Sequence, residues 1–357
     1  LNPDVLNQAR ERDNKKPNSI YSLYGIPILL KDNINYKGIS TTAGSVALID
    51  NNAEDAYVVK KLKENGAIIL GKTNLSEWAY YFCNNCPLGY SAIGGQTLNP
   101  YGRKKFESGG SSSGSGAAIS SNFSSVALGS ETSGSILSPA SLNSIVGLKP
   151  TIGLVSRTGI VPISSTLDTS GPMTKNVIDN IIVFNAITGF DKDDSFSVSK
   201  NKIEIETILN STLKNKRFGV FKTLLDEPLY AKAIEKIKKE GGLIFEFTPP
   251  EINYNGFRKI LDVDMKNDLP KYLNKYSKNS IKNIKEIIDF NLKDSLKRAP
   301  YGQGIFKSIA SNNTTDLEIS EIKSRIKIEG KRYFDEAINK YDLDAVLSIN
   351  NYHALYA

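Results

Sequence analysis

Two stretches crowded with glycine and serine, residues 107–116 and 130–136, constrain this chain more than any other feature in it. Each runs straight into apolar residues, Ala117-Ala118-Ile119 after the first and Ile136-Leu137 with Pro139-Ala140 at the end of the second. Flexible linkers share this composition, but linkers do not normally alternate with core. The strand-like residues 125–129 follow the first loop's helix-forming segment, so the two loops bracket one helix–strand unit and can meet at one edge of a sheet. The neighbouring sequence extends the pattern. Residues 25–30 form a short, continuously apolar run, as a strand covered on both faces requires. Residues 55–64 predict a helix with Val58, Val59 and Leu62 on one face, lysines on the other and Asn65-Gly66 as the stop. Residues 67–70 read as the next strand, and Asn74 with Glu77 predicts a capping box that starts another helix. Strand, helix and strand in this order predict an α/β fold whose sheet is covered by helices on both faces.

From about residue 200 the texture changes to Lys, Asn, Glu and Ile, with glycine sparse. Helical patterns cover 280–297 and 315–340, and a strand-like run follows at 343–349. The expected organisation is one domain over 1–357: a core at 1–190, a mainly helical excursion at 191–341 and a return strand to the sheet at 342–357. No internal repeat or low-complexity linker marks a second domain. The 357 residues suffice for a buried core. With 40% hydrophobic and 23% charged residues the composition is that of an ordinary soluble globular protein. No apolar run approaches the roughly 20 residues of a membrane helix, which excludes a spanning segment. Net charge is 45 − 38 = +7, yet the lysines are scattered, which favours a solvated basic surface over nucleic-acid binding. Leu1-Asn2-Pro3 shows no targeting peptide and no initiator methionine, so the chain is expected to begin downstream of one, and its compartment stays open.

The chemistry is narrowed by what is scarce. The only histidine is His353, which leaves almost no material for a Ser-His-Asp relay or a histidine-rich metal site. Cys83 and Cys86 form a lone C-x-x-C; structural zinc needs two more ligands, and redox or disulfide chemistry is the minor reading. Residues 66–73 match the spacing of a phosphate-binding loop, but the intervening Ala-Ile-Ile-Leu must itself be a strand and cannot cradle phosphate. No metal or cofactor is therefore expected. What remains is the pair of Gly/Ser loops. Glycines let backbone amides point inward at an oxyanion, and the hydroxyls are candidate nucleophiles and proton carriers. A serine nucleophile needs a base, and without histidine the natural one is a lysine held neutral by burial. Lys31, directly after the apolar strand, is placed for that. Alone it reads as a surface charge; the case rests on combination.

Taken together, Gly109 to Ser115, Gly129 to Ser135, Gly147-Leu148-Lys149-Pro150-Thr151 and the run from Gly25 to Lys31-Asp32-Asn33 resemble the defining stretches of the amidase signature family, in the same order. Thr73 to Ala79 and Gly153 to Arg157 look most like its peptide-amidase branch. The resemblance implies the mixed sheet of that fold and a Ser, cis-Ser, Lys triad. Ser135 falls at the nucleophile, Ser111 at the bridging serine preceded by a cis peptide bond, and Lys31 at the base. Backbone amides of Thr132, Ser133, Gly134 and Ser135 would form the oxyanion hole. Ser113, Ser130, Glu131 and Ser133 depart from the commoner Gly, Thr, Asp and Gly. Family members continue beyond the position of Ala357, so the chain is expected to lack further strands and part of the substrate pocket. The implied activity is hydrolysis of a carboxamide, first of all a peptide C-terminal amide, to carboxylate and ammonia through an acyl-enzyme. Its partner would be a small amide or peptide amide; oligomeric state is not implied. The alternatives are the glutaminase subunit of a tRNA-dependent amidotransferase and an inactive binding protein on the same scaffold.

Overall fold

The computed structural model describes residues 1–17, 19–199 and 202–353. The chain divides into two compact units, one made of residues 1–203 and 261–313, the other of 204–260 and 314–357; residues 354–357, the end of the expected return strand, lie outside the described residues.

The first unit is built on a five-stranded mixed sheet. Its strands are β1 (Pro27–Lys31), β2 (Ile68–Thr73), β3 (Val126–Glu131), β4 (Val146–Gly147) and β5 (Thr169–Thr174), in the order β2-β1-β3-β5-β4. β1 runs parallel to both β2 and β3, whereas β5 is antiparallel to β3 and β4. Alternation along β1 sorts its side chains. Ile28 and Leu30 enter one core with Val58, Val59 and Leu62 of helix α1 (Tyr57–Glu64) and Val183, Phe184 and Ile187 of helix α4 (Val177–Ile187). Leu29 points the other way, into a smaller cluster with Ala118 and Ile119 of α2 (Ser113–Ser120). The sheet is thus covered on both faces, as the continuous apolar runs imply. Lys31, two positions after Leu29, shares the α2 face. The phosphate-loop-like stretch is strand β2, and its Lys72 forms an ion pair with Asp32 at 2.9 Å.

The helix expected after Asn74 does not form. A single tight turn, Glu77–Tyr80, stands in its place, with Trp78, Ala79 and Tyr80 at φ of 52°, 55° and 73°. The two expected capping groups are engaged elsewhere: the Asn74 amide donates to the Gly95 carbonyl at 3.0 Å, and the Glu77 carboxylate accepts the Ala92 N–H at 2.9 Å. Trp78 is instead buried against Phe306. Cys83 and Cys86, given only a minor disulfide reading from sequence, are bonded to each other.

Residues 261–313, placed by sequence in the helical excursion, belong to the first unit. Helices α5 (Ile284–Leu292) and α6 (Gly304–Ser311) supply Ile287, Phe306 and Ile309 to a core shared with Trp78 and Phe82. In the second unit a three-stranded parallel sheet of β6 (Arg217–Phe221), β7 (Leu243–Phe247) and β8 (Ala345–Leu347) has the order β8-β6-β7. Its core includes Tyr230 and Ile234 from helix Pro228–Lys239 and Tyr333 and Ala337 from helix Asp316–Tyr341. The expected return of residues 343–349 to the first sheet is therefore corrected: β8 pairs with β6. A three-residue run has no intrinsic preference between parallel sheet edges, and Val220 and Phe221 offer it an apolar face.

Candidate active site

Lys31 ends β1, and its side chain is wholly buried. Its Nζ lies 2.7 Å from Ser111 Oγ, 2.9 Å from Ser130 Oγ and 3.0 Å from the Ser130 carbonyl. Burial lowers its pKa to about 7, against the opposing pull of Asp168 and Glu131. A neutral amine has two hydrogens and one lone pair. Three neighbours are then all satisfied if the amine donates to the two Ser130 oxygens and accepts the Ser111 hydroxyl.

Ser111 is reached through a cis peptide bond from Gly110. Two backbone bonds fix it: the Ser111 carbonyl accepts the Ser76 N–H at 3.0 Å, and the next residue, Ser112, donates its N–H to the Ser135 carbonyl at 3.1 Å. The second bond ties the two Gly/Ser loops together beyond the C-terminal end of the central strand β3. A side chain at Gly109 would be strained there, because φ is +68° and a Cβ would stand 2.7 Å from Pro139 Cα.

Ser135 is 9% exposed and follows the turn 132–134 that leaves β3. Two carboxylates hold this turn. Glu131 accepts the N–H groups of Ile136 and Leu137 at 2.6 and 2.9 Å, at the start of helix α3 (Leu137–Leu142). Asp168, immediately before β5, accepts the Thr132 hydroxyl at 2.6 Å and the N–H groups of Ile163 and Ser164 at 2.8 and 2.9 Å. Its burial raises its pKa to about 6, against these hydrogen bonds. Lys31 and Ser111 are in direct contact, whereas Ser135 is joined to the Ser111 loop through its backbone carbonyl, which accepts the Ser112 N–H.

Three contributors escaped the sequence reading as site residues. Ser130 meets Lys31 twice, Asn33 Nδ2 donates to Ser130 Oγ at 2.8 Å, and Asp168 braces Thr132. Asp168 and Thr132 are 36 positions apart, and no spacing rule links them. A cavity of about 410 Å³ adjoins the site through Asn33, Ser130, Thr132 and Asp168, with Tyr272 and Tyr276 on its wall. Lys31, Ser111 and Ser135 do not line it.

The Amidase family model matches residues 1–349. The chain belongs to the amidase signature family. It is 36% identical over 370 residues to a probable amidase of Arabidopsis thaliana, an alignment covering 98% of this chain and 72% of the plant protein. A glutamyl-tRNA(Gln) amidotransferase subunit from Thermoanaerobacter pseudethanolicus is 40% identical over 70% of this chain, which spans only about half of that relative (52%). Among solved structures, the native peptide amidase of Stenotrophomonas maltophilia superposes with a TM-score of 0.91 at 35% identity, covering all of this chain and 79% of that one. The mixed sheet with helices on both faces is the amidase signature fold.

Proposed function

We propose that this amidase-family chain carries an amide-hydrolysing centre in which Lys31 is the base, Ser111 the bridging acid–base and Ser135 the nucleophile. The observation that carries the reading is the contact of a fully buried lysine, its pKa brought to about 7, with a serine hydroxyl at 2.7 Å. Neutral Lys31 accepts the Ser111 proton while Ser111 accepts that of Ser135, whose oxygen attacks the amide carbonyl. The amides of the 132–135 turn receive the developing oxyanion. Collapse of the tetrahedral adduct passes the proton back through Ser111 to the departing ammonia, and water then releases the acyl group by the same route reversed.

The proposed substrate is a carboxamide, with a C-terminal peptide amide as first choice, a reading supported by likeness to the peptide amidase. Similarity to the amidotransferase favours a second reading, glutamine as the amide donor within a larger complex. The test is ammonia release from a panel containing glutamine and peptide amides, with Ser135→Ala as control. Loss of the nucleophile is expected to lower turnover by several orders of magnitude. Undiminished turnover in that variant would remove Ser135 from the mechanism, and release from glutamine alone would select the second reading.

A further inference from the structure

The Cys83–Cys86 disulfide, with Cα atoms 5.6 Å apart, has no part in the amide chemistry, yet it stands one residue from a segment that touches the bridging-serine loop. Cys83 is buried and Cys86 half-buried. The closed loop is anchored on both sides. Upstream, the Phe82 ring meets Phe306 edge-on at 5.0 Å, and the Phe82 carbonyl accepts the Phe306 N–H at 3.4 Å. Downstream of Pro87, Gly89 donates its N–H to Ser76 Oγ at 2.8 Å, and Ser76 donates its own N–H to the Ser111 carbonyl. Leu88 and Ser76 also close on Gly110: a Cβ there would lie 2.8 Å from Leu88 Cδ2 and 2.6 Å from Ser76 Oγ. A displacement of residues 87–89 therefore reaches the Gly110–Ser111 peptide directly through Leu88 and indirectly through Ser76.

We infer that Cys83 and Cys86 form a reversible thiol–disulfide site that controls turnover by holding Leu88 and Gly89 against Gly110, with the oxidised form competent. The inference rests on the amidase reading above, because the controlled group is Ser111. The thiolate of one cysteine attacks a low-molecular-weight disulfide and expels one thiolate; the other cysteine's thiolate then attacks the protein sulfur of this mixed disulfide and expels the second. Two protein thiols and one small disulfide become one protein disulfide and two small thiols, and a dithiol reverses the exchange. Reduction removes the covalent closure of the 83–86 loop, leaving residues 87–89 tied to the Phe82 anchor by the main chain alone.

The test equilibrates the whole chain with oxidised glutathione or with dithiothreitol and verifies each state by alkylation and intact mass. The rate at which a fluorophosphonate labels Ser135 is then measured in both states, with Ser135→Ala as background. Labelling is expected to be roughly 10-fold slower in the reduced form, the scale on which small misplacements of reacting groups act, and to recover on reoxidation. A C83A/C86A chain should label at the slow rate whatever the poise. Equal rates in two verified redox states overturn the inference and leave the amidase reading intact. Absence of Ser135-dependent labelling in both states overturns the amidase reading itself, and the inference with it.

Discussion

Among the buried ionisable side chains, Lys31 and Glu77 respond to pH in opposite senses. For Lys31 the folded pKa is lowered from 10.5 to about 7. As the proposed base, Lys31 is neutral above that value, so turnover is expected to climb as pH rises through about 7 and to level off above it; a pH–rate profile flat from 5 to 9 would deny Lys31 that role. Lys31→Met removes the amine altogether and is expected to abolish the climbing limb together with several orders of magnitude of turnover. For Glu77, 3% exposed, burial raises the pKa from 4.5 to about 8, against the Ala92 amide. The folded state then holds the proton more tightly than the unfolded chain. Its stabilising contribution is full below about pH 4.5 and is lost progressively as pH rises to about 8. Glu77→Gln keeps the shape without the titration, so its urea midpoint should exceed that of the parent at pH 8 and match it more closely at pH 5.

At the level of elements, capping and tight turns determine what a single change costs. The 26-residue helix Asp316–Tyr341 starts from Thr315, whose hydroxyl accepts the Glu318 N–H at 3.2 Å. Thr315→Ala is expected to cost about 1 kcal/mol, read from the urea midpoint. Gly109→Ala is a harsher change, because the left-handed backbone and the approach of Pro139 both oppose a Cβ. It is expected to destabilise by about 1–3 kcal/mol and to slow amide hydrolysis as well, since Gly109 precedes the peptide that presents Ser111. A variant with lower stability but unchanged turnover would separate the loop's shape from the chemistry.

Over the whole molecule, long-range packing joins segments far apart in the chain. Trp78, the sole tryptophan, lies 5.2 Å from Phe306 between ring centroids, and Phe82 lies on the same ring. Phe306→Ala empties a fully buried site and is expected to cost about 3–5 kcal/mol, with a red shift in tryptophan emission as water approaches the indole. A variant with unaltered emission and midpoint would mean that α6 does not seal this core. The second unit is discontinuous, made from residues 204–260 and 314–357, and none of its sheet order could be read from local pattern.

The sequence by itself determined the elements whose signals are local: the apolar strands β1 and β2, helix α1, the helix from Asp316, and the two Gly/Ser loops with their motif order. It also brought Lys31, Ser111 and Ser135 forward as a set, because their motifs are long and specific. Tertiary structure decided what depends on partners distant in the chain. Asn74 and Glu77 found acceptors and donors outside the helix that their spacing predicts, so that helix gave way to a left-handed turn. Residues 345–347 paired with β6, and residues 261–313 joined the first unit, because neither choice is encoded in periodicity. Most of all, burial decided the chemistry. The ordinary charge of a lysine is written in its side chain, but the loss of water around position 31, and the placing of Asp168 and Ser130 beside it, arise only when segments about 80 to 140 positions away close over it.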